Sequence, residues 1–236
     1  MSPDLDDIQL HRHAAQGHST HAMIRIIVSL AQLHLCLMAV SIPVMICLPT
    51  GCLSSEGYVR TISDGLRDNS VFATTLWGSG MTWISSTRYI GVLGSSSTYA
   101  WIAHVSIVVS TYASFLTIRY DMFEIHHVSS AVVWIISSFV FHFSTTVQGI
   151  ANHSHVASCI LVIGTVLGII FVTLFLCVEF EQGSPHVIMS LEFLSAVSII
   201  EIGTVLSIIA LDFLQSLHVL NEYEVYWYAH AGALVL

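Results

Sequence analysis

The sequence predicts an all-α, polytopic integral membrane protein built as a six-transmembrane-helix bundle, and three observations predict it. Of 236 residues, 55% are hydrophobic and only 9% are charged, against roughly a quarter charged in an ordinary soluble domain. The mean hydropathy of +0.79 is that of a chain whose preferred solvent is not water. Apolar runs near the ~20 residues that cross a bilayer recur along the chain, joined by mostly short polar loops.

The elements follow in order. Residues 1–21, with Asp4, Asp6 and Asp7 and then His11, His13, His18 and His21, read as a disordered polar tail. The histidine spacing matches no rigid metal site. The apolar run from Ala22 to Pro49 is too long for a signal-peptide core of roughly 7–15 residues, so it reads as an uncleaved first span, 23–48. Pro43 is its one clear interruption. The connection 49–69 holds Gly, Ser, Asp and two Arg, and is the only interhelical loop large enough to have structure of its own.

Four further spans are expected at 70–93, 98–118, 127–149 and 156–178, and a sixth at 187–217. At 1.5 Å per residue the sixth is about 45 Å long, more than the ~30 Å hydrocarbon core, so one end protrudes. Residues 22–217 then form a single transmembrane domain, and 218–236 a short tail with interfacial Tyr and Trp. Cys47 and Cys52 are close enough to form a local disulfide if that side is lumenal; the other cysteines read as core packing. A glycosylation sequon stands at Asn152-His153-Ser154.

Several functions are excluded. All six basic residues are Arg and there is no Lys, which removes Schiff-base chemistry with retinal or pyridoxal. A net charge of −9 without a basic stripe argues against nucleic acid. His127 and His142 are fifteen residues apart, ~22 Å along a helix, the separation of two stacked haem ligands. The other spans supply only His34 and His104, so two bis-His haems cannot be built. No cofactor and no metal is expected. Membrane lipids are the expected partners, with other membrane proteins a further class. The Arg residues divide three to three between the two sides, leaving no positive-inside signal.

Polar groups within spans are candidate functional residues, because charge in hydrocarbon is costly. Glu192 and Glu201, nine residues apart, point to opposite faces of one helix, with Glu192 near an interface. Glu201 lies deeper and calls for an Arg, Ser or His from another helix. His127, Ser130, Ala131 and Trp134 share one face at helical spacing, a small-residue packing surface capped by an imidazole. Ser63, Asp64 and His127 lie on the same membrane side, but no oxyanion loop accompanies them, and no catalytic residue is assigned.

Taken together, the loop and the later spans resemble a family. Thr61-Ile62-Ser63-Asp64-Gly65 is similar to the Pro-Tyr-Ile-Ser-Asp-Thr-Gly signature of the damage-regulated autophagy modulator family. Arg88-Tyr89 resembles the Arg-Tyr that closes its second helix, and His127-Val128-Ser129-Ser130-Ala131 its His-Val-Ser-Gly-Ala opening of helix four. The last span, with Ser195-Ala196, a membrane Glu (Glu192 or Glu201) and Asp212-Phe213 at its end, resembles the family's final helix. The resemblance covers residues 24–217 and implies cytosolic termini, with the Ser63-Asp64 loop and His127 on the lumenal or extracellular face. It implies a polar pocket or lipid-headgroup contact formed by Ser63, Asp64, Arg88, His127, Ser130 and Glu201. By function it implies a non-enzymatic modulator of autophagy or lipid organisation in endolysosomal or plasma membranes. The alternative is a participant in lipid or GPI-anchor remodelling in the secretory pathway. A channel or transporter is the weakest reading, since the spans show no internal repeat or paired broken helices.

Overall fold

The computed structural model describes residues 5–47, 51–55, 57–62, 65–66, 70–93, 95–119, 125–148, 155–182 and 190–233. These form six helices: α1 (Leu5–Cys47), α2 (Ser70–Val92), α3 (Thr98–Arg119), α4 (Ile125–Val147), α5 (His155–Gln182) and α6 (Leu191–Ala233). Each packs on the next in sequence and α6 closes on α1, while α6 also reaches across to α2 and α4.

Five of the helices contain apolar stretches long enough to cross a membrane: Ser19–Cys47, Thr98–Ile118, Ser129–Val147, His155–Leu174 and Leu191–Val225. The protein is therefore α-helical with the makings of an integral membrane protein. The exception is α2, whose Gly, Ser, Thr and Arg88 dilute its apolar residues. Its position accounts for part of this: packed by α1, α3 and α6, it buries Thr87 and Arg88 and pairs Ser85 with Thr111 of α3, while Thr75 and Thr82 are exposed.

Helices that meet protein on one side and lipid on the other are apolar all round. On α1, Leu35, Met38, Ile42 and Met45 are buried in the main core while Leu33, Leu37, Val40 and Val44 are exposed. Cys36 on α1 and Cys159 on α5 are also exposed, not packed in the core as expected. A surface facing lipid sets no penalty on a small apolar thiol.

On α5, Gly164 and Gly168 stand one turn apart, and a Cβ at Gly164 would lie 2.7 Å from Ser207 Cβ on α6 and 3.0 Å from Phe139 on α4. A Cβ at Gly168 would lie 2.8 Å from the same Phe139 ring. This small-residue pair lets α5 approach closely where hydrophobic exclusion from water gives no help.

Both outermost helices run further than expected. α1 begins at Leu5, within the stretch expected to be a disordered tail, and α6 continues to Ala233, through most of the expected C-terminal tail. No proline interrupts residues 4–42, so the backbone carries its helix out of the apolar stretch. Ile24 and Val28 of α1 meet Val219, Leu220 and Tyr223 of α6 and Ile90 of α2, and Arg25 lies 3.5 Å from Glu224. The start of α1 and the ends of α2 and α6 thus share one end of the bundle, called here the terminal end. The loop after α1 lies at the other.

Candidate functional site

At the loop end the chain folds back onto the helices. Cys47, the last residue of α1, is disulfide-bonded to Cys52. A small hairpin follows: Leu53 bridges Val59, and Gly57 takes the turn with φ +94°, a conformation that costs glycine little. Two backbone N–H groups then dock on α6. Val59 donates to Ser195 Oγ at 3.0 Å and Ile62 donates to Glu201 Oε2 at 3.0 Å, with Ile62 itself in the core. The N–H of Gly65 bonds back to the carbonyl of Thr61, and a Cβ at Gly65 would lie 2.9 Å from Met45 Cβ and 3.0 Å from its backbone carbon. The Gly of the sequence signature is thus where loop and α1 touch without room for a side chain.

Beneath the loop is a cavity of about 30 Å³, walled by Trp77, Trp134 and Phe171, with Glu201, Ser114 and Thr117 as its polar edge. It has space for a water or two. His127 is buried at the start of α4, and Ser130, Ala131 and Trp134 continue its buried face. Ser130 Oγ donates to the His127 carbonyl at 2.9 Å and accepts from Thr117 Oγ1 of α3 at 3.1 Å.

Of the six expected pocket residues, His127, Ser130 and Glu201 therefore sit at the loop end; Ser63 and Asp64 lie outside the described residues, as does the Asn152 sequon. Glu201 is buried as expected, and one of the donors it receives is a backbone N–H from the loop, that of Ile62. Glu192 is exposed at the start of α6, as its interfacial reading implies.

Arg88 belongs elsewhere. Its Nε donates to Asp212 Oδ1 at 2.7 Å and its Nη2 to Asp212 Oδ2 at 2.8 Å, a two-pronged pairing between α2 and α6. Its Nη1 donates to Ser110 Oγ on α3 at 3.0 Å, and its guanidinium lies 5.0 Å from the centre of the Phe141 ring on α4, within cation–π range. His142 Nε2 is 3.2 Å from Asp212 Oδ1, but out of line for a hydrogen bond. Every member is buried. Thr87 Oγ1, Ser138 Oγ and both amide atoms of Gln215 are also buried without a hydrogen-bond partner among the described residues. Asp212 is eleven residues past Glu201, ~16 Å along α6, so the polar residues form two clusters rather than one pocket.

Asp212 and His142 were not among the expected site residues. A signal existed: an Arg within a bundle of apolar helices requires a counter-charge, and the last span offers only Glu192, Glu201 and Asp212. The expected end of that span near residue 217 made Asp212 look terminal, whereas α6 continues well beyond it.

Long apolar helices enclosing buried, paired charge define the class as α-helical membrane protein. Beyond that class, the chain matches no protein-family profile, no curated protein and no solved structure.

Proposed function

We propose that the protein is a non-enzymatic multi-pass membrane protein of the damage-regulated autophagy modulator type, crossing the bilayer six times and modulating autophagy or lipid organisation in endolysosomal or plasma membranes. The observation that carries this reading is the docking of the loop onto Glu201 and Ser195. Their acceptor oxygens receive loop backbone N–H groups, and the cavity below them suits water rather than an acyl chain. A carboxylate so engaged acts as a scaffold, holding a shaped loop at the membrane face for contact with lipid headgroups or other membrane proteins.

Two further points support the topology. Disulfides persist in oxidising compartments, so the Cys47–Cys52 bond favours a lumenal or extracellular loop end and cytosolic termini. α2 crosses as an inner helix, its Arg88 charge neutralised by Asp212. The sequon at Asn152 then falls on the cytosolic side and stays unglycosylated; a glycan there refutes the orientation.

The test is the paired change His127→Gln with Asp64→Asn in cells lacking the protein. Loss of autophagic flux or of lipid asymmetry, with abundance and localisation retained, is the expected result. Full rescue by the double variant excludes the loop-end cluster as a functional site. Turnover of lysolipid or GPI substrates by the purified protein would replace this reading with the lipid-remodelling one.

A further inference from the structure

Among the helices with broad exposed faces, α5 and α3 differ in chemistry. The exposed large side chains of α5 include Val156, Val162, Ile163, Val166, Ile169 and Ile170, all aliphatic. Lipid tails satisfy such a face completely. On α3 the exposed large side chains include Trp101, Val105, Val108, Tyr112 and Phe115, each between 43% and 70% exposed, with Tyr99, Ile102 and Val109 beside them.

Tyr112 makes this face chemically incomplete. It lies fourteen residues after Thr98 and seven before Arg119, well inside the apolar span Thr98–Ile118. Its phenol makes no hydrogen bond to any described residue. A hydroxyl facing hydrocarbon without a partner is disfavoured, and acyl tails carry nothing to pair with it. Beside it runs a groove of about 550 Å³ between α3 and α4, walled by Val108, Tyr112, Leu116 and Val133 and floored by the small residues Ala113 and Ser130. One face thus offers both projecting rings and a recess.

We propose that this face of α3 is a homodimer interface, occupied by the same face of a second copy. All copies of a chain enter a membrane in one orientation, so a two-fold axis along the membrane normal brings residue 112 of each copy to the same depth. Each phenol is both donor and acceptor, so the second copy supplies what the first lacks. A foreign helix would need a polar group at this particular depth, and lipid supplies none.

The experiment uses the full chain in native membrane vesicles, with Cys36, Cys159 and Cys177 changed to Ser so that the Cys47–Cys52 disulfide is the only native cysteine pair left. Single cysteines are placed at Val105, Val108 and Tyr112, and at Val166 on α5 as the comparison, and are oxidised with copper phenanthroline. The expected result is a disulfide-linked dimer from the α3 positions and none from Val166. Monomer at all three α3 positions, or equal linkage at Val166, overturns the proposal. Tyr112→Phe, a change at an exposed position that removes only the hydroxyl, is then measured by dilution of the fluorescently labelled protein in liposomes. Association weakens roughly threefold to twentyfold, the range of a single intramembrane hydrogen bond. Unchanged association overturns the choice of a second copy as the occupant.

Discussion

Removing the acid from the Arg88–Asp212 pair leaves a guanidinium buried among four helices. Asp212→Asn keeps the shape of the side chain but replaces one acceptor oxygen with an N–H group. One prong of the pairing, at 2.7 or 2.8 Å, becomes donor against donor. The positive charge remains, held by the one surviving amide oxygen, Ser110 and the Phe141 ring. Truncating one partner of a buried pair costs about 3–5 kcal/mol, and because Asn keeps one acceptor the lower figure applies. For a chain of this size ~3 kcal/mol lowers the unfolding midpoint by about 6–12 °C. The assay is thermal unfolding in mild detergent, followed by gel filtration of the monodisperse fraction. Arg88→Met combined with Asp212→Leu removes both charges and fills similar volume; buried pairs so replaced are often neutral or more stable. With Arg88→Met and Asp212→Leu each measured singly, the double variant recovers most of the loss, with a coupling of at least ~2 kcal/mol in that mutant cycle. An Asp212→Asn midpoint within about 2 °C of wild type, or two single losses that simply add, refutes the reasoning.

Other predictions follow from the same contacts. Glu224→Gln leaves the midpoint within about 2 °C of wild type, since its pairing with Arg25 at 3.5 Å is solvent-exposed and screened. Glu201→Leu orphans the Ile62 N–H and costs about 1–3 kcal/mol, whereas Glu201→Gln keeps an acceptor and costs less; urea or thermal titration separates them. Gly65→Ala pushes the loop off Met45, and trypsin added at the loop face then cuts after the buried Arg60, which wild type protects. Gly164→Ala drives a Cβ against Ser207 Cβ, an atom fixed to the α6 backbone, and costs about 1–3 kcal/mol in the same thermal assay. Denaturing the unreduced protein and alkylating it leaves Cys47 and Cys52 unlabelled; reduction first adds two labels between Arg25 and Arg60.

The helices were legible because lipid as a solvent imposes a blunt rule: backbone groups must pair within the segment, and side chains must be apolar. Their ends were not legible. That rule stops at the membrane surface, and a helix such as α1 or α6 passes it without a change in backbone preference. The misplaced end of α6 carried a site error with it, since Asp212 was read as terminal while its carboxylate is the counter-charge for Arg88. Glu201 shows a different blind spot. Its need for a donor could be read from its place in a span, but not that the Ile62 N–H would be one, since every residue but proline carries such a group. The four-residue face His127, Ser130, Ala131 and Trp134 was legible from helical spacing alone and is buried as a unit. The groove beside Tyr112 depends on how α3 and α4 settle together, which no local pattern records.

The Arg88–Asp212 pairing also sets a timetable for biogenesis. The partners are 124 residues apart in sequence. At about 5–20 residues per second, a ribosome needs roughly 6–25 s to make the acid after it has made the base. Throughout that interval α2, the one described helix without a long apolar stretch, holds an unneutralised guanidinium while its counter-charge is still untranslated. On the proposed six-span topology, the second helix would have to wait at the translocon or in the care of an insertion chaperone until the sixth arrives. A chain that stops before Asp212 presents to quality control the very charge that the finished bundle conceals.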